Sequence, residues 1–193
     1  MYLIIVIWEW FSLRMIIIIF RKAYIMIKLV FSMFLLLSVT FNSIADDHAI
    51  KSKPVINLSL AKVMAYACEA DQKKSGYAPI NTAIVDAGGD MVLFRRQNDA
   101  FLLSIDIATK KAISSAGIPF PTRLIEELVY GKDKKGGIIP GLAYSKDIVA
   151  FAGGLPIKTK DGVLLGAIGI SGATADEDEQ CASAAIKAIE GML

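Results

Sequence analysis

The chain has 193 residues, of which 54% are apolar, and a formal net charge of +2 at pH 7. Residues 1–45 hold four basic residues and one acid, which leaves 17 basic and 18 acidic groups in residues 46–193. This near-neutral balance argues against nucleic-acid binding, which requires a clustered basic face, and the composition excludes a disordered chain and a disulfide-dense miniprotein. The 148 residues after position 45 suffice for one domain with a core.

Residues 1–45 form a predicted leader. Within it, residues 26–45 combine a basic start at Lys28, an apolar run from Leu29 to Phe41 and the small-x-small end Ser43–Ala45. This pattern is typical of a cleaved secretory signal. A membrane anchor is the alternative, but the run is shorter than the roughly 20 residues that span a bilayer. We therefore expect cleavage after Ala45, no remaining membrane span, and a periplasmic or secreted protein.

Residues 1–25 are apolar but interrupted by charges, which are costly inside a bilayer. We interpret them as upstream sequence read in frame, with translation starting at Met26. A two-span anchor is the alternative. Residues 46–57 are a polar, exposed lead-in that contains the single histidine, His48.

The next residues predict a helix, a hairpin and two more helices. Apolar residues recur at spacings of three and four between a predicted cap at Ser59 and a stop at Gly76. The turn Asp86–Asp90 predicts a hairpin between strands 80–85 and 91–94. Helices are then predicted over residues 102–116 and 122–130.

The last third predicts three strands, over residues 148–152, 155–159 and 163–171, with a hairpin turn at Lys160–Gly162. Thr174 and Glu177 predict a capping box for a final helix that runs to about residue 189. The order of elements predicts one α+β domain over residues 58–193, with a five-stranded, mostly antiparallel sheet flanked by helices.

Cys68 and Cys181 each fall in a predicted helix, one near either end of the domain. An exported protein could join them in a disulfide if the first and last helices pack side by side. Two buried, unbonded thiols are the alternative interpretation.

Residue types limit the chemistry that the domain can perform. With His48 in the lead-in, the domain has no histidine for a zinc site, a Ser-His-Asp triad or a His-ligated haem. Two glycines of the segment Gly166–Gly172 lie in the predicted strand, where they indicate close approach of a backbone or a ligand. Lys110 and Lys111 indicate a solvated helix face, with an ion pair between Asp106 and Lys110.

The loop Gly136–Leu142 is both apolar and glycine-rich, which is unusual for a loop in solvent. This composition predicts that the loop covers a pocket or a subunit contact.

Six motifs resemble one protein family in the same order along the chain. They are Val85–Arg96, Ser104–Ala112, Pro121–Thr122, Pro140–Leu142, Gly153–Thr174 and Asp178–Glu179. The family is that of haem-degrading, extracellular haem-binding proteins, which includes the G protein of glycolate-utilisation operons and the C-terminal domain of PduO-type cobalamin adenosyltransferases. The resemblance covers about Leu58 to Ile189.

The resemblance implies a profilin-like three-layer α/β/α domain that assembles into dimers or higher homo-oligomers. It implies binding of haem or another tetrapyrrole, with slow haem degradation in some members. Ser114 stands where the family has a threonine associated with haem contact, and Arg96–Ala100 departs from the family's R-M-D-G-A.

A porphyrin site without histidine is physically allowed, because burial of an apolar macrocycle supplies most of the affinity. The candidate ligand-binding residues are Phe94, Arg95, Lys111, Ser114, Pro140, Gly141, Leu142 and Tyr144. Arg95 or Lys111 would bind the propionates. Tyr144, Tyr77, a methionine or water would be the iron ligand. Catalytic residues remain unassigned, no protein metal site is expected, and haem is the only expected cofactor.

Two other functions remain open at this point. The chain could be an accessory protein that binds a small organic metabolite, or a non-catalytic oligomeric partner of a membrane sensor.

Overall fold

The computed structural model describes residues 21–33 and 53–193, which belong to two separate units of the chain. Residues 21–33 are helical and exposed. In the described segments, no helix is both long and apolar enough to cross a membrane. The predicted cleavage site at Ala45, most of the apolar run before it and His48 lie outside the described residues.

The unit over residues 53–193 contains four α-helices and four strands. Its elements in chain order are α1 (Leu58–Ser75), β1 (Asn81–Asp86), β2 (Met91–Arg96), α2 (Ser104–Gly117), α3 (Thr122–Tyr130), β3 (Gly154–Lys158), β4 (Leu164–Ser171) and α4 (Ala175–Ile189). Two short 3-10 helices, Pro140–Tyr144 and Glu190–Met192, complete it.

The sheet has four strands in the order β2-β1-β4-β3, and every neighbouring pair is antiparallel. The α+β class and the antiparallel sheet are confirmed, but the prediction of five strands is wrong. The predicted strand over residues 148–152 is irregular. Its backbone is satisfied elsewhere, because Val149 N donates to the Ser114 hydroxyl, 2.8 Å away, and Ile148 N donates to Ser145 O.

Both faces of the sheet are buried. In β4, Ile168 and Ile170 point toward α1 and α4, whereas Ala167 points toward α2. This alternation follows from the two-residue period of a strand. Gly169, on the α2 face, lets the helix lie directly on the strand, because a Cβ at this position would sit 2.1 Å from Ala108 O. The result is one helix layer on each side of the sheet.

The ends of the elements follow local chemistry. The predicted cap at Ser59 is wrong, since the Asn57 side chain instead accepts from Leu60 N and caps α1 two residues earlier. Gly76 ends α1 in the left-handed conformation, with φ 73°. The capping box of Thr174 and Glu177 is confirmed at the start of α4.

α1 and α4 lie side by side, and a disulfide joins Cys68 in α1 to Cys181 in α4. Both cysteines are fully buried in the core cluster beneath the sheet. The sequence left bonded and unbonded thiols open, and the structure has the bonded form.

Candidate functional site

The strongest candidate for a binding surface is the segment 136–144, called the apolar loop below. The Ile138 side chain is 82% exposed, Tyr144 is 91% exposed, and Ile139 is also exposed. The loop ends in the 3-10 helix Pro140–Tyr144, none of whose residues is buried. Within this one chain the loop therefore presents its apolar side chains to solvent, and it does not close over the domain as a lid.

Both ends of the apolar loop are nevertheless fixed to helices. At its start, Gly136 N donates to Tyr130 O and Ile139 N donates to Leu128 O, each at 2.9 Å. Just beyond its end, the Ser114 hydroxyl on α2 accepts from Val149 N and donates to Asp147 O. Ser114 thus holds the segment that follows the loop, and this uses its only donor hydrogen and one of its two acceptor positions.

Four lysines flank the apolar loop, three before it and one after it: Lys132, Lys134, Lys135 and Lys146. Lys134 pairs with Glu126, and the Lys135 ammonium lies 3.6 Å from the Asp133 carboxylate. Across residues 53–193, no carboxylate lies within ion-pair distance of Lys132 or Lys146. These two ammonium groups are available to an anionic ligand.

The expectation that Lys111 lies on a solvated face is wrong, because this side chain is fully buried. Its ammonium donates to the Asp178 carboxylate on α4 at 2.7 Å and to Ile170 O at 2.8 Å. The Phe151 ring lies 4.8 Å away. A ligand on the surface cannot reach a cation that is enclosed in this way. The neighbouring Lys110 does lie on the outer face, and its predicted pair with Asp106 is confirmed at 2.8 Å.

Burial shifts the pKa values of both Lys111 and Asp178. Burial lowers the pKa of Lys111 and raises the pKa of Asp178, and the attraction between the two charges opposes both shifts. The Asp178 carboxylate also accepts from Ala173 N, so each group has a second hydrogen bond. The pair links helices on opposite faces of the sheet, which is a structural role.

Phe94 and Arg95 lie on opposite faces of β2. Phe94 packs against the alanine-rich cluster under α2, whereas the Arg95 guanidinium forms two hydrogen bonds to Glu69 on α1, at 2.6 and 2.8 Å. The Tyr66 ring covers Arg95 at 4.5 Å. Consecutive strand residues must diverge in this way. Arg95 therefore does not share the α2 face with Phe94 and Ser114.

The predicted iron donors differ in whether an external ligand can reach them. The Tyr77 side chain is buried and its hydroxyl donates to Asp71, and burial raises the pKa of this phenol. The two cysteines are consumed by the disulfide. Within the described ranges, no cluster of three His, Cys, Asp or Glu side chains could hold a metal ion. Tyr144 remains as an exposed phenol.

Sequence reasoning missed the role of the lysines around the loop and the partner of Lys111. The run Lys132–Lys135 was a usable signal, because it directly precedes the apolar loop. Asp178 gave no such signal, since it lies 67 positions from Lys111 and meets it only through the fold.

Comparison with known proteins gives one family. The protein-family model described as "Haem degrading protein HbpS-like" matches residues 56–187 of the chain. An uncharacterised 15.0 kDa protein from the dhaT-dhaS intergenic region of Citrobacter freundii is 35% identical over 133 residues, which cover 68% of this chain and 89% of that protein.

Solved structures show the same fold. A double mutant of HbpS from Streptomyces reticuli is 27% identical, with a TM-score of 0.64 over 72% of this chain and 89% of that chain. The PduOC:haem complex is 28% identical, with a TM-score of 0.60 over 70% of this chain and 95% of that chain.

Proposed function

Because the chain belongs to the HbpS-like family of haem-degrading proteins, we propose that it binds haem or a related tetrapyrrole on the apolar loop. The observation that carries this proposal is a fixed loop that holds Ile138 and Ile139 in solvent between lysines, in a chain similar to one solved with haem. The alternative of a small organic metabolite explains less, because such a ligand would not require the exposed apolar side chains of Ile138 and Ile139.

The chemistry of the surface suits a porphyrin. A tetrapyrrole is a flat apolar disc with two carboxylates, and burial of apolar surface contributes about 25 cal/mol per Å². Ile138, Ile139 and Leu142 would cover one face of the ring, while Lys132 and Lys146 would pair with the propionates. Lys111 and Arg95 are not part of the proposed site, because Lys111 pairs with Asp178 in the interior and Arg95 pairs with Glu69 in a partly exposed position on α1.

Export to the periplasm or the medium is part of the proposal. The Cys68–Cys181 bond supports export, since disulfides persist in oxidising compartments.

Self-association is a further part of the proposal, supported by the exposed side chains of Phe101, Leu102 and Leu103. The proposal also includes slow breakdown of the bound ring. A ring on an open surface is accessible to external peroxide, and breakdown would appear as loss of the Soret band with release of iron.

Removal of the two isoleucines tests the binding surface. We expect Ile138→Ser with Ile139→Ser to weaken haemin binding at least about tenfold, because the ring loses its apolar contact. The measurement is a Soret titration of the purified protein at fixed salt. The control is Val163→Ser, which removes an exposed β-branched side chain from the hairpin between β3 and β4. Equal affinities in all three proteins, or no saturable Soret shift in the wild type, would reject the proposal.

A further inference from the structure

We propose that Tyr144 is the iron ligand of the bound haem, donating its phenolate oxygen to the ferric ion. This inference rests on the proposed function, and it assigns the metal-binding atom within the same site. The buried Tyr77, with its hydroxyl bonded to Asp71, and the disulfide-bonded cysteines are already removed as donors.

The candidate methionines and Ser114 are buried, already hydrogen-bonded or placed on elements other than the apolar loop, and Tyr130 ends α3 before the loop begins. Met64 is fully buried in the core under α1. Met91 is exposed, but it lies at the start of β2, and Met192 lies in the last 3-10 helix. The Ser114 hydroxyl already donates to Asp147 O and accepts from Val149 N. Among the described residues, Tyr144 is therefore the donor that lies on the apolar loop and is open to a ligand.

The 3-10 helix leaves space beside Tyr144. Residues three apart lie above one another in such a helix, which places Tyr144 on the same edge as Gly141. A Cβ at Gly141 would meet no atom within 4 Å, and its backbone is not in the left-handed region. Neither packing nor conformation requires a glycine here. Its effect is to leave a bare surface next to the phenol, where a flat ring can approach.

The chemistry of coordination is balanced without a redox step. The O–H bond of Tyr144 breaks and an iron–oxygen bond forms, while the proton and the water displaced from iron pass to solvent. The iron stays ferric throughout. A phenolate oxygen is an established haem ligand type, and it carries the negative charge that ferric iron favours.

Spectroscopy of a phenylalanine variant tests the assignment. In the full chain loaded with haemin, we expect a phenolate-to-iron charge-transfer band and phenolate modes in the resonance Raman spectrum. Tyr144→Phe should lose both and bind haemin on the order of tenfold more weakly. Tyr130→Phe, a matched change on the exposed side of α3, should keep both, and so should His48→Ala. Metal-free protoporphyrin IX should bind the wild type and Tyr144→Phe equally.

The outcomes separate this inference from the proposed function. Phenolate modes that persist in Tyr144→Phe, or that disappear in His48→Ala or Tyr130→Phe, would overturn the assignment. A wild type that binds haemin and protoporphyrin IX equally and shows no phenolate modes would also overturn it, yet tetrapyrrole binding would stand. Failure to bind either porphyrin would overturn both.

Discussion

The Lys111 side chain reaches through the interior from α2 to α4. One carboxylate, that of Asp178, balances its buried charge. Its three proton directions are taken by the Asp178 carboxylate, Ile170 O and the face of Phe151. Gly153 makes room for it, because a Cβ there would lie 2.5 Å from Lys111 Nζ. Removal of one member of such a pair leaves the other charge buried without compensation.

We therefore expect Lys111→Met to lower the free energy of unfolding by about 3 kcal/mol at neutral pH. Urea denaturation followed by circular dichroism measures this change. Lys110→Met is the matched control, because the adjacent lysine forms a surface pair with Asp106 and should change stability by less than about 1 kcal/mol. Similar losses in the two variants would contradict the interpretation of Lys111 as a buried structural cation.

The loss in Lys111→Met should depend on pH in a defined direction. Burial already raises the pKa of Asp178, and the variant removes the cation that opposes this shift. The folded variant then binds the Asp178 proton more tightly than the unfolded chain does. In the variant, the cost of the buried carboxylate is full above the raised folded pKa of Asp178 and is lost as the pH falls from that pKa toward the unfolded value of about 4. A deficit that grows on acidification would contradict this account.

At the scale of whole elements, contact between α2 and β4 depends on the absence of a side chain at Gly169. A Cβ there would lie 2.1 Å from Ala108 O and 2.4 Å from Ala112 N, which are both backbone atoms of α2. The clash cannot be relieved by a side-chain rotation, so the helix would have to lift from the sheet.

We expect Gly169→Ala to lower the free energy of unfolding by about 2 kcal/mol or more, as overpacking does in other cores. Gly117→Ala, at the end of the same helix, is the control. A Cβ there meets no atom within 4 Å, so stability should stay constant or rise by up to about 1 kcal/mol. Urea unfolding of both variants measures these changes. Equal changes in the free energy of unfolding would contradict the explanation that α2 and β4 require close approach at Gly169.

Elements bounded by strong local signals were predictable from sequence. The bounds of α3 match the prediction, and the predicted hairpin is confirmed, with the Asp86 carboxylate accepting from Gly88 N and Asp90 N in its turn. The predicted strand over residues 148–152 failed because a distant side chain, Ser114, satisfies Val149 N. The Lys111 partner was invisible for the same reason, since periodicity reports which face of a helix is apolar and not which long-range polar contact a residue forms.

At the scale of the whole molecule, the Cys68–Cys181 bond closes most of the domain into one covalent loop, with a sequence separation of 113. Such a crosslink restricts the unfolded chain, and the chain-entropy model gives about 4–5 kcal/mol for a loop of this size. The bond joins helices that already pack together in the core, so its effect should fall mainly on the unfolded state.

Replacement of both cysteines by alanine should lower the free energy of unfolding by about 3–5 kcal/mol. Denaturation curves of the variant and of the oxidised wild type measure the difference. As a control, the native wild type treated with a thiol reductant should keep its disulfide, because both sulfurs are fully buried. Rapid reduction without unfolding, detected by alkylation and mass measurement, would contradict this burial.

The pinning of α1 to α4 also determines where the domain can open. Fraying normally begins at the outermost helices, but here each outer helix is covalently tied to the other and Ile56 and Leu193 pack into the same cluster. Transient opening is thereby displaced from the extremities to the middle of the chain. We expect local opening first in residues 145–153, which follow the apolar loop, lie outside the helices and strands, and are held by a few backbone hydrogen bonds and the Ser114 hydroxyl.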